Sequence, residues 1–327
     1  MTDDAGGGEL AFRAQPDWAK LPSGIVLGDV AGIAVDQRDQ VYLFNRGEHP
    51  VVVLDRAGHY LTSWGHGLFV NAHGASIGPD DSIYLTDNGD HTVRKFTLDG
   101  KLLLCIGEPG KPSAPMSGQP FCRCTHTALS PSGDIYVSDG YGNACVHKYA
   151  PDGKHLMSWG RPGSGPGEFN LPHNICCDGD GWVYVADREN HRVQIFDGNG
   201  RYEAQINNMH RPSGLAIMPG RCPHCIVGEL KPYMPVNRAT PNLGPRVSIL
   251  DQKSNLIARI DDGQGAGLEP GRFVSPHSIA LDSRGDMYVG EVAERDWPAV
   301  FPDTPLPGRL GRVQKFTRVQ PQQANRP

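Results

Sequence analysis

Three histidines stand in one register. His73, His173 and His277 each lie fourteen residues before an acid that closes a short β-type run: Asp87, Asp187 and Glu291. Six such runs can be counted, and these are the second, fourth and sixth. If the runs close into a ring, three imidazoles converge on its axis with threefold spacing. Three protein nitrogens with an open fourth position form a catalytic arrangement for Zn²⁺ at about 2.0–2.1 Å, and Fe, Co or Mn accept the same ligands. A lone histidine at such a place more often caps a strand by bonding to backbone. Three in the same slot of alternate repeats point instead to a shared cation.

The elements that must position them are strands. One Asp/Gly turn recurs in GPDDSIYLTD, SPSGDIYVSD, DGDGWVYVAD and DSRGDMYVGE, and a second in LDRAGHYLTSWG, LDGKLLLCIG, PDGKHLMSWG and DGNGRYEAQI. Alternating runs such as VRKFTL, RVQIFD and RVQKFT lie between them. Each unit reads as four strands, the period of a propeller blade. The units end at Asn45, Asp87, Asp139, Asp187, Glu229 and Glu291, which predicts an all-β, six-bladed propeller in a single domain over 1–327. The approximate blades are 24–66, 67–108, 119–161, 167–207, 208–261 and 271–320. The last lacks its outermost strand, and the segment 12–21 is placed to supply it and close the ring. Helix content near zero is expected.

Across the blades the histidine slot reads Ala31, His73, Thr125, His173, Ser213 and His277. Residues just after the closing acid return to the same mouth, where Arg46, Tyr141 and Arg188 stand. Arg46 could clamp a carboxylate with two parallel bonds or be a surface arginine. Tyr141 could act as a base beside a dication or be a packed aromatic. Arg188 reads equally as a substrate contact or as a pairing partner for a neighbouring blade. Two inserts hang over this mouth, PYMPVNRATPNLGPR after Lys231 and ERDWPAVFPDTPLPGRLG after Glu291. Trp297 and Phe301 in the second could wall a pocket or pack the loop. The other ten histidines, His49, His66, His91 and His126 among them, read as surface or loop residues, and His126 also as a neighbour of the site.

Composition bounds the function. The 327 residues carry a net charge of −5, which gives no reason to expect a nucleic acid or an anionic membrane as partner. No apolar run approaches the roughly 20 residues that span a bilayer. The N-terminus lacks a basic region followed by an apolar one, so the expected location is cytoplasmic. The eight cysteines then read as reduced thiols. Cys222-Pro-His-Cys225 is half a zinc-finger spacing with no second half, and reads as a structural metal pair, a redox pair or ordinary turn cysteines.

The repeat pattern resembles the NHL-repeat family of six-bladed propellers. Within it, LFNRGEH, HGASI, VSDGYGN, LPHN, VADREN, GELKPY and SPHSI resemble the peptidyl-α-hydroxyglycine α-amidating lyases. That resemblance implies a catalytic zinc on His73, His173 and His277, an essential arginine at Arg46 and an essential tyrosine at Tyr141. It implies cleavage of the C–N bond of a carboxylate-bearing carbinolamide to an amide and glyoxylate. Departures are specific. The acid that helps to hold a structural calcium in that family is Ser278 here, which argues against calcium, and a methionine two residues before the third histidine is Ser275. Of the family's two disulfides, one falls on Cys122 and Gly142 and the other on Tyr184 and Ile195. With no monooxygenase partner domain attached, a small-molecule or peptide-like carboxylate is the expected substrate. A metal-dependent hydrolase or hydratase, and a non-enzymatic NHL scaffold, stand as alternatives.

Overall fold

The computed structural model describes residues 10–218, 224–238, 240–261 and 263–319; Cys222 lies outside them. Six four-stranded antiparallel sheets surround a common axis, five running in chain order from the inside outward and the sixth taking its outermost strand from near the start of the chain. The innermost strands are Val30–Val35, Ala72–Ile77, His126–Leu129, Pro172–Cys177, Pro212–Met218 and Pro276–Leu281. The second strands are buried along their length, for example Ile83–Asp87 and Val183–Asp187, except for half-buried His224 at the start of blade five's, because the neighbouring blades cover both faces. Fourth strands such as Leu102–Ile106 are largely exposed.

Closure follows the expectation, with a strand that is shorter than 12–21 and starts one residue earlier. Ala11–Gln15 pairs antiparallel with Val313–Val319, from Ala11 opposite Val319 to Gln15 opposite Lys315. Phe12 enters a core with Phe273, Phe316 and Ile260 between the fifth and sixth blades. This pairing completes the sixth sheet and closes the ring, so that only short, protected blade edges remain.

In blades one to four the hairpins between third and fourth strands place glycine at positive φ, while blade five places Ser254 there. Gly100 has φ +94°, and a Cβ there would stand 2.8 Å from the Trp64 ring. One feature departs from the expected near-absence of helix. The insert after Glu291 contains α1 (Ala293–Val300), whose first N–H groups donate to the Asp29 carboxylate at 2.8 Å from Glu294 and 3.1 Å from Arg295. Ala293, Trp297 and Val300 cover Val274, and Trp297 lies against Phe301 with ring centroids 4.4 Å apart. Trp297 and Phe301 therefore pack the insert.

Candidate metal centre

The fourteen-residue spacing has a mechanical cause. The Asp87 carboxylate accepts the N–H groups of Val70 and Asn71 at 2.6 and 2.9 Å, just before His73. Asp187 accepts from Asn170 at 2.7 Å, and Glu291 from Val274 and Ser275 at 2.7 and 3.0 Å. Each acid fastens the backbone that enters the histidine strand. The strand pairing then shifts register across the slot, between Ala72 and Gly74, Pro172 and Ile175, and Pro276 and Ser278. Such bulges re-aim a side chain, here toward the axis.

The three rings meet there. Their centroids lie 4.7–4.9 Å apart and all three are buried. Each Nδ1 faces a backbone carbonyl of the following blade: Thr125 at 2.5 Å from His73, Ser213 at 3.2 Å from His173, Ala31 at 2.8 Å from His277. A carbonyl only accepts, so each Nδ1 carries the proton and each Nε2 presents a lone pair. Burial first, then neighbouring imidazole or guanidinium groups, push all three well below the usual histidine range. Neutral imidazole is the ligand form.

These residues fit a metal ion. The ligand atoms lie within 4.8 Å of one another. The Tyr141 hydroxyl stands 3.1 Å from Nε2 of both His73 and His173, yet one O–H proton serves only one lone pair. The buried Nε2 of His277 has no partner. Three converging lone pairs with one proton among them suit a cation.

The mouth residues gather around this centre. Arg188 and Arg123 each stand 5.5 Å over the Tyr141 ring. Arg46 donates through Nε to the Ala72 carbonyl at 3.2 Å and lies 3.9 Å from Asp29, while its Nη2 is buried without a partner. Burial lowers the Arg46 pKa, opposed by Asp29 and Tyr141. A cavity of about 100 Å³ is lined by Tyr141, Arg188, His277 and, from the two inserts, Tyr233, Arg295 and Val300. A larger hollow of about 660 Å³ lies between residues 15–27 and the 308–314 loop, and none of the histidines line it.

Several partners escaped sequence reasoning. Glu189 holds Arg188 at 2.9 Å and receives Arg211 through bonds of 2.9–3.2 Å. Its place directly after Arg188 was the available signal. Ser275 donates to Asp296 on α1 at 2.6 Å, and the Ser278 hydroxyl accepts the Ile33 N–H at 2.9 Å, stitching the sixth blade to the first. His126 is buried beside Gly74 and bonds the Thr127 carbonyl at 2.9 Å, so it supports the wall without joining the centre. His126 and His147 both correct the expectation that the remaining histidines are surface or loop residues, since both lie inside strands. The described cysteines are all free thiols. A Cβ at Gly142 would fall 2.2 Å from Cys122 Sγ, while Tyr184 and Ile195 face each other across a strand pair.

The fold and centre define a class: a closed six-bladed propeller with a buried three-imidazole site on its axis. Comparison with known proteins refines it. The NHL repeat model matches residues 121–149 and 169–196. NHL repeat-containing protein 3 of Mus musculus is 33% identical over 312 residues, 89% of this chain and 84% of that protein. The chain belongs to this family of NHL-repeat propellers. It is also 30% identical over 281 residues, 79% of its length, to peptidyl-alpha-hydroxyglycine alpha-amidating lyase 1 of Drosophila melanogaster, and spans 50% of that relative. Among solved structures, a gluconolactonase from Xanthomonas campestris superposes with TM-score 0.61 at 12% identity, covering 96% of this chain and 92% of its own, a likeness of fold alone.

Proposed function

We propose that this chain is a metal-dependent carbon–nitrogen lyase that cleaves a small carboxylate-bearing α-hydroxyamide into an amide and glyoxylate. The observation that carries the reading is the Tyr141 hydroxyl, 3.1 Å from two of three buried, converging imidazole nitrogens and facing the cavity. The relation to the fly lyase supports it. A divalent ion on His73, His173 and His277, zinc by the donor set, supplies a Lewis acid for a substrate oxygen.

The chain's own residues do the rest. Arg46 offers an unpartnered guanidinium nitrogen at the site, suited to a substrate carboxylate. Tyr141 removes the hydroxyl proton as the carbonyl of glyoxylate forms and the C–N bond breaks. The bonding pair leaves with the amide nitrogen, which takes up one proton, so none is gained or lost overall. Arg123 and Arg188 station positive charge over the ring of Tyr141, whose oxygen takes the proton. Insert residues line the cavity beside the site, and exclusion of water there on substrate binding would suppress hydrolysis.

The test is product analysis with α-hydroxyhippurate on zinc-loaded protein. Benzamide and glyoxylate in equal amounts are expected. Benzoate would mean amide hydrolysis and overturn the lyase reading, and no turnover at full metal loading would leave a scaffold.

A further inference from the structure

In two blades the acid that closes the second strand meets an arginine at the head of the third. In blade four Asp187 sits opposite Arg192, and in blade five Glu229 sits opposite Arg246. Arg192 Nε lies 2.8 Å from Asp187, and Arg246 makes two bonds of 2.9 and 2.8 Å to Glu229. Two residues further on, Gln194 and Ser248 complete the satisfaction of those carboxylates. Each buried negative charge thereby meets a buried positive one.

Blade two has Thr92 opposite Asp87, blade six leaves Glu291 to backbone N–H groups and Gln314, blade one closes on Asn45, and blade three differs from all of these. Opposite Asp139 stands Cys145, and two residues on stands His147. The three are 0%, 2% and 0% exposed, and their donor atoms lie within 4.8 Å of one another. His147 Nε2 is 3.4 Å from Cys145 Sγ and 3.2 Å from Asp139 Oδ2. One ring nitrogen holds either a proton or a lone pair, so it cannot accept from the thiol and donate to the carboxylate together. The other nitrogen is engaged by Ser158 Oγ at 2.7 Å. The second carboxylate oxygen, Asp139 Oδ1, is buried without a partner. Oδ2 meanwhile accepts from Cys122 N at 2.9 Å and Asn143 Nδ2 at 2.8 Å.

The spacings are those of ligands around one ion. Bond lengths of about 2.3 Å to sulfur and 2.0–2.1 Å to nitrogen or oxygen put tetrahedral neighbours about 3.5 Å apart for S/N and about 3.3 Å for O/N. Charge also balances, since a dication offsets one thiolate and one carboxylate as Arg192 offsets Asp187. We propose that blade three contains a second metal site, a buried structural one, which takes a thiophilic divalent cation such as Zn²⁺ through Cys145 Sγ, His147 Nε2 and the Asp139 carboxylate. It is separate from the three-histidine centre and stands whether or not the chain is a lyase.

The test uses the purified full chain, its metal content measured by elemental analysis and its sites then exchanged with Co²⁺. Two metals per chain are expected, with a near-ultraviolet thiolate-to-cobalt charge-transfer band. His173→Ala should drop the count to one and keep the band. Cys145→Ser should drop it to one and abolish the band. The pair Cys145→Arg with His147→Gln, copying Arg192 and Gln194 of blade four, should stay folded and also lose band and ion. A wild-type chain with no such band, or a band that survives Cys145→Ser, would overturn the proposal and leave His147 and Asp139 as an ordinary ion pair.

Discussion

His277 Nδ1 lies 2.8 Å from the backbone oxygen of Ala31, and the two residues occupy the same slot of blades six and one. His73 leans on Thr125 and His173 on Ser213 in the same way. The six slots thus form three donor–acceptor pairs around the axis. The odd slots carry small side chains beside each ring, and their carbonyls fix each tautomer. Alternation is therefore a packing requirement as well as a way to count ligands.

Replacing His173 with alanine removes one of three convergent nitrogens. Metal affinity at the axis should fall by more than the roughly 10–100-fold typical of losing only a supporting hydrogen bond. Competition against a fluorescent chelator measures this, and an unchanged affinity would reject His173 as a ligand.

Tyr141→Phe keeps the ring beneath Arg123 and Arg188 but deletes the hydroxyl. Turnover should drop by about 10²–10⁴, the usual worth of a positioned proton-transfer group, with the axial metal retained. Full activity in this variant would take the tyrosine out of the mechanism.

Glu291 is wholly enclosed, and burial pushes its carboxyl from 4.5 up to about 7 against the N–H groups of Ser275 and Val274. Between those values the folded chain holds a proton that the unfolded chain has released. The stability it contributes is present below the lower value and lost as pH rises through the upper one. Relative to Glu291→Gln, the wild-type chain should lose up to about 3 kcal/mol across that interval. Denaturant titrations at several pH values measure the difference, and a flat profile would mean an ionised carboxylate throughout.

Phe12 is 0% exposed in the strand that closes the ring. Phe12→Ala should cost about 3–5 kcal/mol, as large-to-small core changes do. A shift below about 1 kcal/mol in denaturant unfolding would show that the closing strand contributes little to holding the propeller together.

Much was legible in the chain itself. Asp/Gly turns, period-two runs and the fourteen-residue offset that His73–Asp87 shares with all blades but the fifth mark the repeats, because hairpin geometry and register are local and recur from blade to blade. Arg46, Tyr141 and Arg188 were found from the same register, since each follows a closing acid or its equivalent. The convergence of the imidazoles was legible only on the condition that the ring closes, which Ala11–Gln15 meets through a pairing that spans almost the whole sequence. Other features had no local signature. The helix capped by Asp29 and the Glu189–Arg211 pairing join residues from different segments. Local sequence sets which way a strand turns and which residues alternate; which side chains lose water together is decided when the blades pack, because burial belongs to neighbours that the chain order does not name.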